Sequence, residues 1–124
     1  MNNIKYKHTT ELHNLESPSL VVPIINSLLE PKSVVDFGCG LGTWLKVFKD
    51  SGIDNLLGLD GDWIDRSKFE ASVIGSFKEV DLEKEIKLEK KYDLAISLEV
   101  AEHLHKDSAS IFVKNLINAS DIVV

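Results

Sequence analysis

Three glycines alternate in the stretch VVDFGCGLGTW (34–44), at Gly38, Gly40 and Gly42, directly after β-branched and aromatic residues. Such a turn lets a ligand approach the backbone closely, and the start of a following helix favours an anionic group. The phosphate loop needs G-x-x-x-x-G-K-[ST], and no Gly-Lys pair occurs in the chain. The dinucleotide fingerprint needs G-x-G-x-x-G, and here the third glycine comes one residue early. Asp36, inside the preceding run, would repel a pyrophosphate but accepts well from an ammonium group. Further acidic groups follow: Asp60 in LLGLDGDW, Asp81 in FKEVDL, and Glu99 and Glu102, with His103, in EVAEHLH.

Positioning these groups falls to alternating strands and helices. SPSLVVPIINSLLEP (17–31) reads as a helix capped by Ser17, with Leu20, Val21, Ile24, Ile25 and Leu28 on its inner face. Pro23 within it should kink it or delay its start. SVVDF (33–37) reads as a buried strand, TWLKVFKDSG (43–52) as a helix and NLLGLD (55–60) as a second strand. DWIDRSKFEA is a short helix or turn, residues 73–82 contain a third strand, and EKEIKLEKK (83–91) is a solvated connector. YDLAISL (92–98) supplies a fourth strand. Residues 106–118 give a helix with Ala109, Phe112, Val113 and Leu116 inward, and DIVV (121–124) begins a fifth strand.

This alternation predicts an α/β fold: a doubly wound, mainly parallel sheet of order 3-2-1-4-5 with helices on both faces. The turns after the strands then share one edge, where ligands of such sheets bind. There Asp60 accepts ribose hydroxyls, Trp63 lies on a purine face and Asp81 accepts from an exocyclic amine. With Asp36 toward an α-ammonium and the helix start toward a carboxylate, the ligand is a zwitterionic nucleoside, and S-adenosylmethionine fits every part.

The four stretches VVDFGCGLGTW, LLGLDGDW, FKEVDL and YDLAISLEVAEHL, in order over residues 33–104, resemble the successive motifs of class I S-adenosylmethionine-dependent methyltransferases. The resemblance implies that Asp36, Gly38 and Gly40 line the methionine end and that Asp60 holds the ribose. It sets Asp62 or Trp63 beside the adenine, Asp81 with Leu82 at the adenine edge, and Ser97, Leu98 and Glu99 under the sulfonium. Gly61 and Cys39 fall within the same cofactor-binding set, although the Cys39 side chain itself reads as a small space-filler.

EVAEHLH also resembles the E-x-x-E-H motif of RNA 3′-end 2′-O-methyltransferases, which bind a divalent cation. That family adds a histidine well downstream, and none follows His105 here. The net charge of −6 and a single arginine, Arg66, offer no basic stripe for a phosphate backbone. The reading is therefore no metal site, no nucleic-acid partner and a small-molecule methyl acceptor, with His103 or Glu99 as the candidate base. A non-catalytic cofactor-binding module and the metal-dependent RNA enzyme stand as alternatives.

The 124 residues make one domain, 1–124, with 1–16 as a lead-in segment. One cysteine, no apolar run of membrane-spanning length and a polar start predict a cytoplasmic protein without membrane contact. The fold of this class continues past the fifth strand into an antiparallel hairpin that this chain lacks. The fifth-strand edge is then expected to be open, and two copies are expected to pair there.

Overall fold

The computed structural model describes residues 14–98 and 100–124. Helix α1 (Glu16–Leu29) leads into strand β1 (Ser33–Phe37), helix α2 (Thr43–Asp50) and strand β2 (Asn55–Asp60). Two 3-10 segments, Arg66–Lys68 and Ala71–Ser76, precede strand β3 (Phe77–Glu79). Strand β4 (Leu94–Ile96), two 3-10 turns (Ala101–His103 and Lys106–Ser108) and helix α3 (Ala109–Ala119) complete the order.

The strands form one sheet of order β3-β2-β1-β4, and every pairing is parallel. Val35 stands opposite Leu57 on one side and Ala95 on the other. Asp93 fixes the β1–β4 register at its start: its carboxylate accepts from the Lys32 N–H (2.8 Å), and its own N–H donates to Ser33 Oγ (2.8 Å). The doubly wound 3-2-1-4 arrangement is the expected one. The fifth strand is reduced to a single parallel bridge, Ala95 to Val123, because only residues 122–124 lie along β4. Their hydrogen bonds nevertheless extend the sheet on the expected side: Ala95 N–H donates to Ile122 O (3.0 Å) and Ser97 N–H to Val124 O (2.9 Å).

Alternation along β1 sends Val34 to one face and Val35 and Phe37 to the other, as period-two geometry requires. Val34 joins Val22 and Ile25 of α1 with Leu45 and Phe48 of α2. Val35 and Phe37 join Phe112, Leu116 and Ala119 of α3, with the Phe37 and Phe112 rings edge to face at 6.4 Å.

Local expectations are corrected at the α1 cap and on the inner faces of α1 and α3. Ser17 lies inside the first turn of α1 rather than at its cap: Leu15 holds the cap position without a side-chain hydrogen bond, and Asn14 Oδ1, one residue before it, accepts from Glu16 N–H at 3.0 Å. The helix runs unbroken through Pro23, which sits on its exposed side, so the carbonyl left without a donor turns to water. Its buried residues are Pro18, Val22 and Ile25, while Leu20, Ile24 and Leu28 are exposed. Apolar residues on every side of this helix make its inner face ambiguous by period alone. On α3, Ala109 and Val113 likewise face out, and Asn115 and Ala119 face in.

Candidate cofactor site

The glycine turn closes β1 and opens α2. Gly38, Gly40 and Gly42 all have positive φ (86°, 56° and 81°), a conformation that L side chains rarely adopt. Close packing adds a second requirement. A methyl group on Gly38 would stand 2.3 Å from Val100 Cγ2, and one on Gly42 would stand 2.5 Å from the Phe69 ring. Val100 and Phe69 thus brace the turn from two sides. The sequence reading missed both, since nothing in their spacing pairs them with the glycines.

The N–H groups of the turn are largely satisfied from within. Gly38 and Cys39 both donate to Leu59 O (2.7 and 3.1 Å), and Gly40 donates to Asp60 Oδ2 (2.8 Å). A ligand at this turn therefore meets a smooth Cα surface rather than free donors at residues 38–40. The donors for an anion lie one step on, at the start of α2, where Gly42 is the N-cap and no side chain caps the helix. Cys39 lies beneath the turn, packed against Gly58 and buried, which suits a space-filling side chain.

Two carboxylates are buried here, Asp36 at 2% exposure and Asp60 at 3%. Their surroundings differ. Asp60 accepts from Gly40 N–H through one oxygen and Gly61 N–H through the other, both at 2.8 Å. Burial raises its pKa, and those two N–H groups oppose the rise. The Asp36 carboxylate takes part in none of the side-chain hydrogen bonds among the described residues. Burial first, and the Asp60 charge second, push it well above the usual carboxylate range. A buried carboxylate without a donor is costly unless a cation or a donor comes to it. An ammonium group at Asp36 and a carboxylate at the start of α2 match the two ends of an amino acid.

Around this pair, the Gly61 backbone lies under the Trp63 ring, which is partly buried against the α1–α2 side of the core. Asp62 is exposed next to it. Asp81 is exposed and turns one oxygen to Glu83 N–H (2.9 Å), while Leu82 is buried on the α3 face of the sheet. Ser97 and Leu98 follow β4, half-buried. Glu99 lies outside the described residues, so the E-x-x-E-H stretch is seen only in part. Glu102 and His103 sit in the 3-10 turn Ala101–His103, with Nε2 3.7 Å from Oε1. His103 N–H donates to Val100 O (2.9 Å), which ties this turn to the residue bracing Gly38. No cluster of three or more potential metal-ligating side chains forms among the described residues. The other residue the sequence reading passed over is Glu83, which accepts from His105 N–H and Ser108 Oγ (3.1 and 2.8 Å) and anchors the loop beyond His103.

The parallel sheet of order 3-2-1-4 with helices packed on it is the Rossmann-like fold of the class I methyltransferases. A family model described as "Methyltransferase domain" matches residues 12–118, so the chain belongs to that family. Among solved structures it is similar to the methyltransferase domain of bacterial CtHen1 (25% identity, TM-score 0.65), covering 89% of this chain and 65% of that one. It is also similar to the PH0226 protein of Pyrococcus horikoshii (16%, TM-score 0.69), covering 89% and 59% respectively. A third is CalS10, an amino pentose methyltransferase from Micromonospora echinaspora solved with S-adenosylmethionine bound (14%, TM-score 0.68), covering 97% and 54%. The chain spans less than two thirds of each of these structures. No curated protein matches the sequence.

Proposed function

We propose that this chain binds S-adenosylmethionine in the crevice above β1 and β2 and transfers its methyl group to a small-molecule or other non-nucleic-acid acceptor. The observation that carries the reading is the buried Asp36, which meets no hydrogen-bond donor among the described residues, beside a helix start that no side chain caps. That pairing suits a zwitterion and suits neither a pyrophosphate nor a neutral nucleoside. When bound, the cofactor supplies an electrophilic methyl group on a sulfonium sulfur. The chain's contribution is to fix the two reactants in line, the main lever for such a displacement.

In this reading Asp36 orients the ammonium and the Gly38–Gly42 turn lies against the methionine chain. Asp60, held by Gly40 and Gly61, presents its remaining lone pairs to the ribose. Asp62, Trp63, Asp81 and Leu82 border the adenine, and Ser97 and Leu98 pass beneath the sulfonium. His103, or Glu99, takes the acceptor's proton. The net charge of −6 and the single arginine support an acceptor without a phosphate backbone. Pairing of two copies through the open edge at 122–124 belongs to the same proposal. A monomer at every concentration in sedimentation velocity removes that part alone.

One second reading has its own observation. The E-x-x-E-H spacing, which resembles that of the RNA 3′-end 2′-O-methyltransferases, and the proximity of Glu102 and His103 favour a divalent cation and an RNA 2′-hydroxyl acceptor. Elemental analysis and activity with and without chelator separate the two. The proposal predicts no stoichiometric metal and no effect of chelator, whereas a bound metal with chelator-sensitive transfer to RNA replaces it with the second reading.

A further inference from the structure

Within the cofactor reading, we propose that cofactor uptake is a proton exchange: the free protein holds a proton on the Asp36–Asp60 pair, and the incoming ammonium group takes its place. Two carboxylates share this buried corner, and among the described residues no lysine or arginine charge acts on either. Among the described residues, the titratable group that acts on Asp36 is Asp60, at the end of β2, while the buried Cys39 thiol in the turn is itself pushed up by burial and by both carboxylates. Its neighbours in register, Gly58 on β2 and Ile96 on β4, bring no charge.

The proton belongs on Asp36. Asp60 is provided for as an anion, with one backbone N–H on each oxygen, and burial and repulsion from Asp60 both disfavour a charge on Asp36. Backbone N–H groups that could have served Asp36 from its own turn are directed instead to Leu59 O and Asp60. A cationic ligand reverses the balance, because an ammonium beside Asp36 favours its ionised form. The reaction is simple in its balance: the Asp36 carboxylic acid gives its proton to the solvent, and the carboxylate formed pairs with an ammonium that keeps all of its own.

The test is calorimetry of S-adenosylhomocysteine binding from about pH 5 to 7, where a carboxylate of ordinary pKa is already ionised. Each pH is measured in two buffers of different ionisation heat. The expected result is a binding heat that depends on the buffer, with close to one proton released on the acid side. Affinity rises by up to about tenfold per pH unit while Asp36 is protonated in the free protein, and levels once it is ionised. 5′-Methylthioadenosine, which lacks the amino acid end, binds without proton release. A carbon-13 carboxyl titration of the unsubstituted protein needs no variant: Asp36 titrates above an ordinary carboxylate when free, and its titration moves down in the complex. Asp36→Asn binds more weakly, with an affinity flat in pH. Binding of S-adenosylhomocysteine with buffer-independent heat and flat affinity overturns the exchange and leaves the cofactor reading standing. Absence of any binding by folded protein overturns both.

Discussion

At the scale of single residues, Asp36 and Asp60 occupy the same corner and do different work. Asp60 is structural, which the sequence does not reveal: a carboxylate at a strand end reads as a group for a ligand or for water, yet this one pins Gly40 and Gly61 of two loops. Asp60→Ala leaves the Gly40 and Gly61 N–H groups without acceptors, so it should cost about 1–3 kcal/mol of stability in urea unfolding as well as cofactor affinity. Asp36→Asn should do the opposite to the free fold. The folded-state pKa of Asp36 lies above its unfolded value, so its contribution to stability is present at low pH and is lost as pH rises through the folded value. The variant should therefore be more stable than the parent at neutral pH, with the gap closing on acidification. Thermal unfolding of both proteins across pH reads this directly, and other titrating groups cancel in the difference.

At the scale of elements, the strand and helix succession was legible because composition and spacing agree. SVVDF and NLLGLD are short apolar runs stopped by glycine or aspartate, and α2 has a clear apolar stripe ended near Gly52. What was not legible is which side of a nearly all-apolar helix faces in. On α1, Leu20, Val21, Ile24 and Ile25 satisfy the helical period as well as Val22 does, and only docking on the sheet decides. Val22→Ala should cost roughly 2 kcal/mol, a buried truncation, whereas Leu28→Ala, at 76% exposure, should stay within about 0.5 kcal/mol. Asn115 on α3 is a second case, since a polar residue reads as outward. It is buried because its amide serves the backbone of the 83–91 connector, accepting from Ile86 N–H (3.0 Å) and donating to Lys84 O (2.8 Å). Asn115→Leu, similar in volume, should destabilise by about 1–3 kcal/mol in urea unfolding through those unpaired groups.

At the scale of the whole molecule, a four-stranded parallel sheet gathers the turns after its strands along one edge, and that topology turns scattered acidic residues into one crevice. The placement was legible to that extent: Asp36, Asp60 and the glycine turn meet as the order 3-2-1-4 requires. Their bracing by Val100 and Phe69 depends on tertiary packing that no spacing encodes. A competing place for a ligand exists on the opposite side of the connector. There a cavity of about 450 Å³ lies between residues 85–91 and α3, lined by Ile86, Leu88, Lys90, Asn115 and Asn118. The most direct test follows the backbone amides of nitrogen-15-labelled protein by NMR while S-adenosylhomocysteine is added. The account predicts one-to-one binding with the largest shifts in residues 36–44, 60–63, 81–82 and 97–98. Shifts centred instead on residues 85–91 and 115–119, or none at all, would contradict it.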